Sequence, residues 1–337
     1  MAAAITESRR ALGHASPNPA VGAVILAADG TIVGRGHTQP PGGPHAEIMA
    51  LRAAGGVARG ATAVVTLEPC NHTGRTGPCA QALIDAGVAR VVYAVADPNP
   101  AAAGGARRLR SAGIDVIGGV GAAEARSGPL RGWLFRQHHG RPLVTAKIAA
   151  TLDGRIAAPD GTSQWITGAA ARARAHEQRA QIDAIVVGSG TAIRDNPALT
   201  ARLPDGTFAA HQPIRVVMGE RPLPADARLR DDAAPTRHVR THDPAAVLAA
   251  LPEATWVLVE GGPRILGAFA DAGLIDEVEA YLAPTILGAG AAAVASSQVT
   301  TLSQRHDFTV GSVITLGPDV LLRCVSPALA AVTNEGV

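Results

Sequence analysis

His45-Ala46-Glu47, then Pro69-Cys70, then Cys79: an imidazole, two thiols and a carboxyl follow one another in an order that dictates how the first part of this chain must fold. Zinc is borderline-soft and is well served by one imidazole nitrogen and two thiolates, and three protein ligands leave the fourth tetrahedral position to water. Such an open position belongs to catalysis, not to scaffolding. Glu47 stands two residues beyond the histidine, where it can take a proton from that water and pass it to a leaving amine.

The order H-x-E, P-C, C is the signature of zinc nucleobase deaminases, in which two residues separate the cysteines. Here Cys70 and Cys79 enclose eight, Asn71-His72-Thr73-Gly74-Arg75-Thr76-Gly77-Pro78. A polar, glycine-containing loop of this kind on the rim of a zinc pocket offers donors to a small, phosphorylated substrate. The alternative is a closed structural knot with His72 as fourth ligand, although a closed site has no use for Glu47.

Composition narrows the substrate class. The chain has 337 residues, which allows two domains, and its formal charge is only +2 with 3% aromatic residues. It lacks both the basic footprint of a nucleic-acid binder and the platforms for base stacking, so a free small molecule is expected. No segment reads as a membrane span or a signal peptide. Three cysteines, two of them assigned to zinc, make no disulfide framework; Cys324 is expected to be a buried, inert thiol in the run Val320 to Val325. A cytoplasmic location follows as the expectation.

Short apolar strands alternate with helical patterns: strands over 21–27, 32–37, 63–66 and 91–96, and helices over 45–54 and 77–86. This is an α/β layout, with Asp29-Gly30 as the hairpin turn between the first two strands. The pattern changes over 118–142, which reads as a linker carrying the solvated His138 and His139. A boundary near 141 divides the chain into 1–141 and 142–337. The second part shows strands over 143–150, 184–188, 214–218 and 256–260, helices over 169–180 and 264–272, and two late strands.

In that second part, strand Trp256 to Glu260 runs into Gly261-Gly262-Pro263-Arg264 and a helix, an arrangement that lets a pyrophosphate approach backbone N–H groups. Gly188-Ser189-Gly190-Thr191 follows another strand. Neither contains the full G-x-G-x-x-G fingerprint, which disfavours a standard Rossmann domain and leaves a tight turn as the alternative at each.

Beyond these motifs, Pro17-Asn18-Pro19-Ala20-Val21-Gly22, Thr66-Leu67-Glu68-Pro69-Cys70, Gly74-Arg75-Thr76, Asp97-Pro98-Asn99-Pro100, Lys147 to Ile156, Ser163-Gln164-Trp165-Ile166-Thr167, Asp195 to Thr200 and Glu260-Gly261-Gly262-Pro263 occur in one order. Together they make the chain resemble the bifunctional riboflavin-biosynthesis enzymes that join a diaminohydroxyphosphoribosylaminopyrimidine deaminase to a 5-amino-6-(5-phosphoribosylamino)uracil reductase. The resemblance implies a cytidine-deaminase-like three-layer α/β domain followed by a dihydrofolate-reductase-like domain. It implies zinc on His45, Cys70 and Cys79, with Glu47 as catalytic acid and base, and Asn18, His37 and His72 as substrate contacts.

For the reductase half it implies NADPH contacts at Ala149, Trp165, Thr191, Asp195 and the loop Gly262, Pro263, Arg264, Ile265, Leu266, Gly267 and Ala268. Substrate contacts are implied at Lys147, Ser163, Arg179, Leu199, Arg202 and Glu260. Arg179 and Arg202 are expected to fork onto a phosphate, and Asp195 or Glu260 to polarise the substrate. For Trp165 the alternative is a core aromatic. Family members associate through the reductase half, so a homo-oligomer is implied. Two departures stand out: Thr76-Gly77-Pro78-Cys79 where Thr-Pro-Pro-Cys is common, which threatens to shift the second thiolate, and Met218-Gly219-Glu220 without the small polar pair of some relatives. The rival readings are a tRNA or nucleoside deaminase with an unrelated second domain, and a zinc-stabilised binding module.

Overall fold

Alanine and glycine at matched spacings set the geometry of the first unit. The computed structural model describes residues 1–72 and 77–334; Gly74-Arg75-Thr76 therefore lies outside the described residues. Contacts divide the chain into two compact units, Met1–Gly140 together with the chain from Val332, and Arg141–Ala331.

Five strands form the first sheet: β1 (Gly22–Leu26), β2 (Ile32–His37), β3 (Thr62–Leu67), β4 (Arg90–Val95) and β5 (Asp115–Ile117), in the order β2-β1-β3-β4-β5. β1 runs antiparallel to β2 and β3, while β3, β4 and β5 are parallel. Helix α1 (Ala2–Arg9) lies on one face, where Ala4 packs with Val24 and Val64. Helix α2 (Ala46–Ala54) lies on the other, and there the fit depends on missing side chains. A Cβ on Gly36 would stand 2.4 Å from the Ala46 carbonyl oxygen, and one on Gly34 2.2 Å from that of Ala50. Ala46, Ala50 and Ala54 repeat every four residues, so α2 presses its backbone onto β2 and brings its N-terminus to the sheet.

Helices α3 (Cys79–Ala86) and α4 (Gly105–Ser111) follow, then α5 (Ala122–Ser127) and α6 (Arg131–His139). The last two replace the linker expected over 118–142. Leu130, Trp133, Leu134 and Phe135 are buried there, and the basic stretch that reads as linker is the exposed end of α6, including His138 and His139.

The second unit contains β6 (Leu143–Thr151), β7 (Arg155–Ala157), α7 (Ala169–Arg179), β8 (Ala184–Gly188), α8 (Ser189–Asp195), β9 (Ile214–Met218), β10 (Thr236–Val239), α9 (Pro244–Ala249), β11 (Trp256–Val259), α10 (Pro263–Asp271), β12 (Glu277–Ala283), β13 (Ala291–Ala292), β14 (Thr309–Leu316) and β15 (Asp319–Val325). Its main sheet has the order β10-β9-β8-β11-β6-β12-β15-β14. The pairs from β10 to β12 are parallel, and the β14–β15 hairpin closes the far end antiparallel. Helices cover both faces, so β8 reads as the continuous run Ala-Ile-Val-Val-Gly and is buried throughout. On one face Val144, Val186, Val216 and Val257 pack under Val247, Leu248, Leu266 and Phe269 of α9 and α10. On the other, Ala171 of α7 meets Tyr281 and Leu321.

Chain order explains where this sheet opens. After β8 the chain continues to β9 on one side, and after β11 it continues to β12 on the other. The loops leaving β8 and β11 part there, making a crevice at their carboxyl ends. Among the described residues no helix is long and apolar enough to cross a membrane. Cys324, expected to be buried, is half-buried in β15, where burial raises its thiol pKa.

Candidate active sites

Three backbone features carry the donors of the first site together. His45 is the N-cap of α2, Cys79 is the first residue of α3, and Cys70 lies three residues beyond the end of β3. The His45 Nδ1 atom stands 3.2 Å from Cys79 Sγ and 3.6 Å from Cys70 Sγ, and the three donor atoms lie within 4.8 Å of one another. The Cys79 backbone N–H donates to Cys70 Sγ at 3.4 Å. Gly77-Pro78 thus leaves the second thiol in register with the first, against the shift its sequence suggested. A hydrogen bond from the Cys79 thiol, with help from His45, holds the Cys70 thiol below its usual range against its burial. The same bond and burial push Cys79 up. One imidazole and two sulfurs, one readily ionised, suit zinc by donor type and number.

Glu47 is 4% exposed and sits two residues into the same corner. Burial, then the negative charge of Cys70, pushes its carboxyl up to about 7, where it exchanges protons under physiological conditions. His45, Cys70 and Glu47 line a cavity of about 230 Å³ with Asn18, His72, Thr38, Glu68 and Asp97. That is below the range of about 300–1,000 Å³ of pockets for drug-sized ligands, a volume suited to one heterocyclic ring.

Asn18 and His72 line the cavity, but His37 does not. In β2, His37 pairs with Gly22, whose face is turned to α1. Its Nδ1 stands 3.6 Å from Glu7 of α1, and the next residue, Thr38, lines the cavity instead. Strand alternation therefore removes His37 from the cavity and sets it beside Glu7. Glu68, Asp97, Asn99, Trp133 and Gln137 were not assigned but line the cavity. Glu68 accepts from the backbone N–H groups of Gly104 and Ala106 with one oxygen and Asp97 with the other, fixing the rim. The motifs Glu68-Pro69-Cys70 and Asp97-Pro98-Asn99 were visible signals; Trp133 and Gln137, on α6, gave none.

The second site lies in the crevice at β8 and β11. Glu260, one residue past β11, accepts from Arg179 Nε and Nη2, both at 2.8 Å, and from Lys147 Nζ at 3.2 Å. Its side chain is 9% exposed. Burial alone would raise its pKa, but Arg179 and Lys147 outweigh burial and hold the carboxyl far below the usual carboxylate range. Arg179 therefore spends its fork on Glu260, with a further bond to the Thr200 carbonyl at 3.3 Å, and is not the phosphate clamp expected of it. Arg202 fits that task better. It makes one bond to Thr200 Oγ1 at 3.3 Å, stacks over Phe208, and keeps its terminal nitrogens without a protein partner among the described residues. Lys147 also lies 5.8 Å from the Tyr281 ring centroid.

Other expected contacts divide between surface and core. Trp165 is 69% exposed with the Arg172 guanidinium 4.6 Å from its ring centroid, which removes the core alternative and presents an aromatic face. Ser163 is exposed in the same loop and Ala149 is half-buried on β6. Asp195 is paired with Arg194 at 3.0 Å on the surface, whereas Glu260 and Lys147 lie together in the crevice. Leu199 is 4% exposed, and its side chain serves packing. In the loop 262–268, Leu266 belongs to the core, and a Cβ on Gly267 would stand 1.9 Å from the Ala295 carbonyl oxygen, so these two hold α10 in place. Ile265 also packs against that core, which leaves Gly262, Pro263, Arg264 and Ala268 as candidates. Gly262 caps α10 without a side-chain hydrogen bond and lies against Thr191, whose Oγ1 would be 3.6 Å from an added Cβ. Glycine backbone at a helix start beside a threonine hydroxyl fits a dinucleotide pyrophosphate.

Comparisons with known proteins agree over both units. The RibD C-terminal domain model matches residues 142–322, and the cytidine and deoxycytidylate deaminase zinc-binding region matches residues 1–95. The riboflavin biosynthesis protein RibD of Mycobacterium tuberculosis is 52% identical over 326 residues, spanning 97% of this chain and 96% of its own. Two solved structures cover 96% of this chain and 96% of theirs. Acinetobacter baumannii RibD has a TM-score of 0.83 at 38% identity. A Thermotoga maritima diaminohydroxyphosphoribosylaminopyrimidine deaminase/5-amino-6-(5-phosphoribosylamino)uracil reductase has a TM-score of 0.85 at 33% identity. With a zinc-binding deaminase region and a reductase domain in one chain, and relatives matched along nearly its whole length, the chain belongs to the RibD family of bifunctional riboflavin biosynthesis enzymes.

Proposed function

We propose that the first unit deaminates 2,5-diamino-6-(ribosylamino)-4(3H)-pyrimidinone 5'-phosphate and that the second reduces the ribosyl side chain of the product to 5-amino-6-ribitylaminouracil phosphate with NADPH. The observation that carries this reading is the open set of His45, Cys70 and Cys79 with buried Glu47 beside it on one small cavity. Zinc held by those three residues would supply an acidified water at neutral pH. Glu47 would hold and move the proton, taking it from the attacking water as the oxygen joins the amidine carbon and giving it to the amino nitrogen, so that the C–N bond breaks and ammonia leaves. Asn18 and His72 orient the ring from the cavity wall, and Asp97 and Asn99 complete its polar rim.

In the second unit NADPH supplies the hydride. Trp165, Thr191 and the start of α10 hold it, and Arg202 with Ser163 binds the substrate phosphate. Lys147 delivers a proton to the heteroatom that takes up the electron pair, while Glu260, anionic and fixed by Arg179, keeps the ammonium in place. Subunits associate through this unit and act in the cytoplasm. β14 is an uncovered edge strand with Val310 and Val313 57% and 62% exposed, a surface that a second copy can cover; a monomer in sedimentation equilibrium would argue against this.

Purified protein given the pyrimidine ribotide should release one ammonia per substrate without NADPH, and should then oxidise one NADPH per substrate when the coenzyme is added. Oxidation of NADPH without prior ammonia release would overturn the order of steps, and failure of both would overturn the function.

A further inference from the structure

An NADPH-dependent site must distinguish a 2'-phosphate from a hydroxyl, and a rigid guanidinium fork is the side chain best matched to a phosphate. Strand β9 is followed directly by Gly219-Glu220-Arg221. These residues leave β9, the neighbour of β8, on the carboxyl edge where the crevice opens. The two strand ends are in close contact. A Cβ on Gly219, whose φ is +126°, would stand 2.5 Å from Ser189 Oγ, and a Cβ on Gly190 would stand 2.7 Å from Arg221 Nη2. The Arg221 head group therefore rests on the backbone of Gly190, one residue before Thr191, whose hydroxyl adjoins Gly262.

The donors of Arg221 have no hydrogen-bond or ion-pair use among the described residues. Several nearby arginines are engaged: Arg194 with Asp195, Arg215 with Asp231, and Arg230 with the carbonyls of Leu223 and Pro224. Arg221 makes no hydrogen bond or ion pair among the described residues, and neither does Arg240, which follows β10 where Val239 pairs with Met218. Two uncompensated cations thus flank one edge of the crevice, and one of them lies on its glycine loop.

We infer that Arg221 reads the 2'-phosphate of NADPH and sets the preference of the reductase unit for NADPH over NADH. The inference rests on the reductase reading above. A fork aimed at a dianionic phosphate contributes nothing to a coenzyme that carries a hydroxyl there, so the residue acts on selectivity and not on the hydride step.

Calorimetric titration of the full chain with NADPH, NADH, 2',5'-ADP and 5'-ADP tests this directly. Arg221→Ala should weaken NADPH and 2',5'-ADP by about 10- to 100-fold, the range of charge-assisted hydrogen bonds, and should leave NADH and 5'-ADP within about twofold. Arg221→Lys, with charge but no fork, should fall between. Because Arg221 is exposed and unpartnered, ammonia release should stay at the wild-type rate, which also reports an intact fold. Unchanged 2',5'-ADP affinity in Arg221→Ala would overturn the inference. So would equal weakening of 2',5'-ADP and 5'-ADP, which would assign Arg221 to the shared pyrophosphate. A wild-type protein that binds none of the four would instead overturn the reductase reading, and this inference with it.

Discussion

Glu47→Gln is expected to slow ammonia release by about a thousandfold or more, within the range of about 10²–10⁴ that a positioned acid–base group contributes. Glutamine preserves the volume of a side chain that is 4% exposed, so packing in the corner beneath α2 should survive. Its amide cannot take and return a proton. Zinc content should remain at one ion per chain, because the three donors lie elsewhere, and the variant should still oxidise NADPH when supplied with the deaminated intermediate. Wild-type ammonia release by the variant would remove Glu47 from the mechanism; loss of zinc would make it a ligand.

Glu260→Ala is expected to abolish reduction and leave deamination intact. It should also cost stability, since Arg179 and Lys147 would remain largely buried without a counter-charge, a loss of about 3–5 kcal/mol by analogy with broken buried pairs. The pH dependence has a definite sign. The folded-state pKa of Glu260 is depressed, so its contribution is fully present above the ordinary carboxylate pKa of 4.5 and is lost as pH falls toward the folded value. Wild-type stability should therefore decline more steeply below that point than that of Glu260→Gln, in which nothing at this position titrates. Denaturant midpoints of both proteins from pH 7 down to acid unfolding would show it. Parallel curves would contradict the assigned pairing, and loss of ammonia release in Glu260→Ala would contradict separate sites.

The zinc corner was legible because its chemistry dictates residue types at close sequence positions. His45 and Cys79 both lie at helix starts, and Pro69-Cys70 follows a strand end, so the donors meet wherever strand and helix are joined in this order. The buried parallel strands were legible for a similar reason: Ala184–Gly188 and Trp256–Val259 are apolar runs that only a doubly covered sheet uses. What escaped was tertiary pairing. Nothing local tells that Arg179 will give its fork to a carboxylate 81 residues away, or that one position along β2 moves His37 from the cavity to Glu7. Helix α6 escaped because four exposed residues at its end, Gln137 to Gly140, resemble a linker and mask the buried Leu130–Phe135 stretch before them. The loop Gly262–Ala268 was read as one binding element, but every third or fourth side chain of a helix turns to the core, and Leu266 does so here.

The account depends most on an open metal position beside a carboxyl. A crystal structure of the zinc-loaded protein, phased at the zinc edge, tests that directly. It should show one ion on His45, Cys70 and Cys79 with solvent as fourth ligand and Glu47 within hydrogen-bond reach of that solvent. A fourth protein donor such as His72, or a Glu47 carboxyl turned away from the ion, would contradict it.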